Sequence, residues 1–428
     1  MISATQHKFD RIFFYRIAIS RSRKKRVLLI MWLSQDETDE EKIFRDSVKK
    51  FVSDCVNPLA AQSRKDYDGV CRKIHLEAGK AGILGLSIPQ KYGGQGAGAT
   101  LQGIAREELG RGRIIGYGNP WPLSAIFNQF AELADPSLED IWLPKFIRGE
   151  ASMGLASTEP RSGSDVANTS TTAIRKGSGF VIDGEKGPIS GISARDAYIV
   201  LARTGAKDSG ARGVSAFFVE ADRTGLEKTH LASMEESADL GLLKFDKVEV
   251  PADHLIGAEN KGFQVTMTAF DSERAVFPMS YLGATMDSIE LSIDYTKNRS
   301  VWGRPIATFE GVMFPLVEAV TKVESIRSFC YRVLRDCDSG KRISEYSSMV
   351  RWYVTRVALD ALDACIQVNG AQGYTDTVPH QRRYRWVRAG FFGHGTLEIQ
   401  KLVIGRAIFG NEIYDVALGR KADSRATS

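Results

Sequence analysis

Leu155-Ala156-Ser157-Thr158-Glu159-Pro160-Arg161-Ser162-Gly163-Ser164-Asp165 is a short apolar run that stops abruptly in hydroxyls, a proline and a glycine. It reads as a strand ending in a polar loop. Small hydroxyls and backbone N–H groups at a strand end can hydrogen-bond the edge of a flat heteroaromatic ring. The serine-glycine-serine turn leaves phosphate oxygens room to approach the backbone. Taken alone, such a window is more often an ordinary polar loop. Its surroundings decide the reading.

On the carboxyl side of this stretch, residues 170–174, 180–182, 197–202, 214–219 and 242–250 are short β-rich runs punctuated by Gly and Asp-Gly. After Gly262 the period becomes helical and stays so. It runs through Leu282, Met286, Ile289 and Ile293, then Leu316, Val320, Val323, Ile326, Cys330 and Val333, then Val350, Val354, Val357, Ala361, Ala364 and Val368. Amphipathic helices of this length pack as a bundle. The segment Phe270-Asp271-Ser272-Glu273-Arg274-Ala275 is expected to open the first long helix of that bundle.

On the amino side, Thr38 with Glu41 fits a capping box, and Phe44, Val48, Phe51 and Val52 follow at helical spacing. Further helical patterns cover about 75–82, 100–109, 123–133 and 138–146. The run Gly93-Gly94-Gln95-Gly96-Ala97-Gly98 lacks the spacing of a dinucleotide loop and follows no β run, so it is a turn. The fold class is therefore α+β. It comprises an N-terminal helical domain over 35–150, a middle β-sheet domain over 151–256 and a C-terminal helical bundle over 257–420. A basic leader (1–34) and a tail (421–428) flank them.

With 428 residues the chain can fill two or three layers of core, so it is no small stapled domain. Cys55, Cys71, Cys330, Cys337 and Cys365 form no C-x-x-C pair and have no histidine at zinc-ligand spacing. Neither a metal site nor a disulfide framework is indicated, and a reducing, cytoplasmic setting is expected. The net charge of +5 is modest and concentrated at the start, which does not argue for nucleic acid. There Lys8, Arg11, Arg16, Arg21, Arg23, Lys24, Lys25 and Arg26 stand against Asp10 alone. The apolar patches 12–15 and 27–33 are too short to span a bilayer, and Met31 precedes the first patterned segment. An over-extended start or a disordered tail is expected here, rather than targeting.

Thr158-Glu159-Pro160 with Ser162-Gly163-Ser164-Asp165 resembles the signature of the acyl-CoA dehydrogenase family. Further matches follow in the right order: Tyr92-Gly93-Gly94-Gln95-Gly96, Gly184-Glu185-Lys186, Phe245 through Pro251, Ile256-Gly257, Lys261-Gly262-Phe263, Gly303-Arg304-Pro305-Ile306, and Gln367 through Tyr374. The resemblance covers roughly 35–410 and implies the same succession of α, β and α domains, closing on a four-helix bundle.

The chemistry implied is removal of an α proton and a β hydride from an acyl thioester, giving the 2,3-enoyl thioester. It requires a base, donors at the carbonyl oxygen and a hydride acceptor. No side chain accepts hydride, and the resemblance implies FAD. It assigns the flavin to Leu155, Ser157, Thr158 and Ser164, with Ile189 and Ser190. From the bundle of a neighbouring subunit it adds Arg299, Gln367, Gly370, Thr396 and Glu398. Ser164, Asp271 and Arg274 are the implied substrate contacts. The implied partners are acyl-CoA or a carrier-bound acyl group, an acceptor such as an electron-transfer flavoprotein, and further copies of the chain, as a tetramer.

The sequence also departs from the family. Pro188 replaces a tryptophan that covers the flavin, and Phe309-Glu310 stands where a pair ending in glutamine is usual. Met234-Glu235-Glu236-Ser237-Ala238 lacks the usual arginine. Gly393-His394-Gly395-Thr396 replaces Tyr-Glu-Gly-Thr, whose glutamate is the base of the commonest subgroup. In the isovaleryl-CoA dehydrogenase subgroup the base sits at the position matched by Glu273. The resemblance therefore implies a catalytic pair of Glu273 as base and His394, whose backbone N–H would face the thioester carbonyl. Arg382, Arg383, Arg385 and Arg388 add positive charge that an acidic carrier protein or coenzyme A phosphates could meet. A flavin monooxygenase on the same fold and a degenerate, non-catalytic paralogue are the alternatives.

Overall fold

The computed structural model describes residues 32, 36–114, 124–235 and 239–417. The basic leader, Trp32 excepted, and the tail lie outside them. Helix α1 (Asp39–Phe51) opens on the capping box: Glu41 N–H donates to Thr38 Oγ1 (3.2 Å), and Thr38 N–H donates back to Glu41 Oε2 (3.0 Å). Helix α2 spans Tyr67–Lys80, and begins well before the expected residue 75 because Asp66 caps it through Gly69 N–H (2.9 Å). Helices α3 (Ala99–Gly110), α4 (Ser124–Leu133) and α5 (Pro136–Ile147) complete the first region. Val48, Val56, Val70, Ile74 and Leu109 close its core.

The middle region is an eight-stranded sheet of β1 (Met153–Ala156), β2 (Thr172–Lys176), β3 (Gly179–Ser190), β4 (Ala197–Arg203), β5 (Val214–Glu220), β6 (Leu226–His230), β7 (Leu240–Pro251) and β8 (Leu255–Ile256). Its order is β6-β7-β3-β2-β4-β5-β8, and β1 pairs in parallel with β4, Leu155 opposite Ile199. The sheet is apolar on both faces. Ile199, Leu201 and Phe218 meet Phe130 and Phe146 of α4 and α5, while Tyr198, Val200 and Phe217 pack with Phe180 and Phe245 on the other side.

Helices α6 (Gly262–Val276), α7 (Pro278–Asn298), α8 (Glu310–Asp338) and α9 (Ser344–Asn369) follow, a short β9–β10 hairpin (Ser300–Val301, Arg304–Pro305) preceding α8. After them come α10 (His380–Ala389), α11 (Leu397–Phe409) and α12 (Asn411–Ala417). The 270–275 segment corrects the sequence reading. It closes α6 instead of opening a long helix, because Pro278 starts a second helix right after Phe277. Helices α3 and α7 touch backbone to backbone: a Cβ on Gly283 would lie 1.8 Å from the Glu107 carbonyl oxygen, so only glycine fits.

His380 is fully buried at the start of α10, with Nε2 3.3 Å from Ser292 Oγ. Burial, and then Arg383 and Arg113, push its imidazole down to about 3, with Asp287 opposing. The unfolded chain therefore binds this proton at about pH 6.5, before the folded one does, so stability is present above that pH and falls as pH drops toward 3. Between pH 6.5 and 5 urea titrations should show the wild type losing about 1.6 kcal/mol more than His380→Gln, the slope rising toward ~1.4 kcal/mol per pH unit as the unfolded imidazole takes up its proton. Parallel slopes would remove His380 as the source.

Candidate active site

The first group of candidates gathers where β1 ends. Leu155 and Ser157 lie on β1 and at its end, followed by Thr158, and Gly187 N–H donates to Thr158 O (2.8 Å). That bond brings the end of β3, with Ile189 and Ser190, beside the loop. The loop itself is tied down from within. Glu159, 4% exposed, accepts from Lys186 Nζ (2.8 Å), Ser170 N–H (2.7 Å), Thr171 N–H (2.9 Å) and the Thr169 hydroxyl. Burial pushes this carboxyl up, yet Lys186 and the hydroxyls outweigh it and hold the group well below the usual carboxylate range. Burial likewise pulls the Lys186 ammonium down to about 8 against Glu159. Gly163 and Ser164 stay exposed on the outer turn, and no atom lies within 4 Å of a Cβ built on Gly163. The sequence flagged Glu159 and Lys186 only as motif letters; their pairing fixes the loop.

The second group centres on Glu273, 2% exposed in the last turn of α6. Its Oε1 is 3.5 Å from Arg106 Nη2 on α3, and Ala125 N–H donates to its Oε2 (3.4 Å). Sequence reading missed Arg106, since nothing in its own window announces a partner on α6. Burial lowers its guanidinium pKa, against the pull of Glu273. Phe277 connects the pair to His394: the Arg106 guanidinium lies 5.8 Å from the Phe277 ring centre, and the His394 ring packs edge-on against Phe277 at 4.9 Å. The Phe270 ring centre lies 6.0 Å from that of His394. Burial holds the His394 imidazole well below its ordinary pKa, and Arg351, Arg106 and Arg274 reinforce this. It is neutral at physiological pH. Asp271 and Arg274 pair with each other (2.9 Å).

The remaining candidates are not drawn into this cluster by contacts within the chain. Arg299 ends α7, Gln367 and Gly370 lie at the end of α9, and all three are exposed. Arg299 forms no ion pair with a described residue. Thr396 caps α11 through Ile399 N–H (3.2 Å), and Glu398 is exposed in its first turn.

The arginine cluster differs from expectation. Arg382 Nε and Arg385 Nε both engage the buried Glu235, at 3.2 and 3.1 Å. Arg383 is fully buried against Asp287 (2.7 Å) and the carbonyls of Arg111 and Gly112. Arg388 lies over Phe391 and Phe392. Three of the four therefore neutralise or satisfy groups of this chain, because burial forces a guanidinium to find internal partners.

Among the described residues, no helix is long and apolar enough to cross a membrane. All five cysteines are free.

Family models match most of the chain: acyl-CoA dehydrogenase N-terminal domain over 38–150, middle domain over 154–248 and C-terminal domain over 260–409. The chain is 32% identical to the mitochondrial isovaleryl-CoA dehydrogenase of Oryza sativa subsp. japonica over 383 residues, 88% of this chain and 92% of that one. It is 30% identical to an acyl-CoA dehydrogenase of Bacillus subtilis (strain 168), covering 87% and 99% of the two chains. The solved acyl-CoA dehydrogenase of Geobacillus kaustophilus superposes with a TM-score of 0.78 at 29% identity, over 88% of this chain and 100% of that one.

Proposed function

Because the chain belongs to the acyl-CoA dehydrogenase family, we propose that it removes the α proton and β hydride of an acyl-CoA, with Glu273 as the base. The observation that carries this is a buried carboxylate beside a buried arginine, on the helix face that also meets His394. The enzyme is an FAD-dependent oxidoreductase acting on CH–CH bonds. The cradle suits the cofactor in two respects: a hydroxyl-rich strand end with open space at Gly163, and an exposed Arg299, without an ion pair to any described residue, of the kind a diphosphate takes. Leu155, Ser157, Thr158, Ser164, Ile189 and Ser190 would hold the flavin on one side, and Arg299, Gln367, Gly370, Thr396 and Glu398 would meet it from a neighbouring subunit. When bound, FAD supplies the acceptor for the β hydride.

The chain's own residues do the rest. Glu273 takes the α proton onto its carboxylate, and Arg106 keeps that carboxylate in place. The backbone N–H of His394 donates to the thioester carbonyl oxygen, where negative charge grows as the α proton leaves. The neutral His394 imidazole lines the acyl end. Asp271, Arg274 and Ser164 contact the substrate. Coenzyme A is the carrier this reading favours, since the arginines that suggested an acidic carrier protein are engaged internally.

Electrons pass on to an acceptor such as an electron-transfer flavoprotein. The molecule is a homo-oligomer, a tetramer by this reading. Exposed flavin candidates and exposed apolar side chains support it: Met313, Phe314 and Val317 on α8, and Ile408, Phe409, Ile413 and Val416 near the end of the described chain. Five free cysteines suit a cytoplasmic location.

The purified protein should be yellow, sediment as an oligomer carrying the visible absorbance, and bleach anaerobically when an acyl-CoA is added. A colourless protein, or a yellow one that no acyl-CoA bleaches, would end the dehydrogenase reading. A flavin-loaded monomer would end the shared-site reading.

A further inference from the structure

Arg351, in the second turn of α9, is wholly buried, yet no carboxylate of a described residue lies within ion-pair distance. A buried guanidinium without a counter-ion is costly unless its donors are all used by strong acceptors. Two of its nitrogens are committed in an unusual direction. Nη1 donates to Thr355 Oγ1 (2.6 Å) on its own helix, while Nη2 donates to two carbonyl oxygens of one loop, Gly390 O and Gly393 O, each at 2.6 Å. The Tyr281 ring lies 5.9 Å from the guanidinium and leaves Gly390 no room for a side chain: a Cβ there would sit 2.7 Å from the Tyr281 hydroxyl.

The loop that Arg351 grips is the one that ends in His394. In a trans peptide the carbonyl and the following N–H point in opposite directions within one plane. Fixing Gly393 O on Arg351 therefore turns the N–H of His394 away from Arg351. Gln400 Nε2 holds the next two carbonyls, His394 O at 3.4 Å and Gly395 O at 3.3 Å. His394 and Gly395 both take positive φ, 55° and 86°, a backbone shape that an unrestrained histidine seldom keeps.

We propose that Arg351 is a positioning residue for the thioester: by clamping Gly390 O and Gly393 O it aims the His394 N–H at the carbonyl oxygen of the substrate. It acts through the loop and touches neither substrate nor flavin. The inference rests on the dehydrogenase reading above, and predicts a defect in carbonyl polarisation with flavin binding intact.

The test uses the FAD-loaded full chain with an acyl-CoA whose β carbon carries no hydrogen, 3,3-dimethylbutyryl-CoA or the β-blocked analogue of whichever chain bleaches the wild type. In D2O the wild type should exchange the α protons of this thioester, a step that needs the base and the polarised carbonyl but no hydride transfer. Arg351→Met removes the donors and should slow exchange about 10²-fold, the scale for losing one oxyanion donor. Thioester affinity should change by less than about threefold, and the bound carbonyl should lose its infrared shift. Arg351→Lys keeps a cation able to reach one of the two carbonyls and should recover part of the rate; it decides the matter if the methionine variant does not fold. A folded, flavin-loaded variant of either kind with wild-type exchange and an unchanged carbonyl band overturns the assignment. Absence of bleaching and exchange in the wild type itself would instead overturn the dehydrogenase reading.

Discussion

Glu273→Gln should reduce its flavin at least roughly 10²-fold more slowly than the wild type on mixing with acyl-CoA, the usual scale of general-base loss, while the flavin stays bound. Glutamine keeps the shape and can still face Arg106 and Ala125 N–H, so folding should survive and only basicity is lost. The rival base is His394, which is neutral and has a ring nitrogen able to accept a proton. Its surroundings oppose that role: burial and three guanidiniums hold its pKa well below the ordinary value, and a base matched so poorly to the operating pH transfers protons slowly. His394→Ala should accordingly change substrate affinity more than the rate of flavin reduction. Wild-type reduction by Glu273→Gln, together with a collapse in His394→Ala, would transfer the role to the imidazole.

Glu107→Ala should cost about 3–5 kcal/mol of stability, the scale for removing one partner of a buried charge network. Glu107 is 1% exposed on α3 and accepts from Arg45 Nη1 (2.8 Å), Arg327 Nε (2.9 Å) and Tyr331 Oη (3.2 Å). Burial pushes its carboxyl up, but Arg327 and Arg45 win and hold it down at about 2. Removing it leaves two buried guanidiniums at the junction of α1, α3 and α8, with Glu37 and Glu108 beside Arg45 and only the more distant Glu324 (3.9 Å) beside Arg327. Urea unfolding followed by flavin release and by circular dichroism measures the loss; a change below about 1 kcal/mol would show that the network is dispensable.

The strand and helix succession was legible because most elements bury one regular face. The exceptions follow from the same physics. Strand β6, with the sequence Leu226-Glu227-Lys228-Thr229-His230, lies at the sheet edge with little of it buried, so it carries no apolar alternation to read. The start of α2 was missed because its cap, Asp66, precedes a polar first turn. For the proposed site, local motifs marked the candidate flavin loop and Glu273, whereas the partners of Arg106 and Arg351 lie far along the chain. The internal partners of the arginine cluster were hidden for that reason: Glu235 and Asp287 lie well upstream of it, and no window holding Arg382 to Arg388 contains them.

The bond from Glu235 to Arg382 and Arg385 has a consequence for inheritance. An arginine in place of Glu235 would present like charge to Arg382 and Arg385, so such a change needs a matching one on α10. A chimera that exchanges the loop alone sets three guanidiniums against one another; one that moves both segments carries its own compensation. Loop and helix are thus electrostatically coupled and exchangeable only together, although nearly 150 residues of chain separate them.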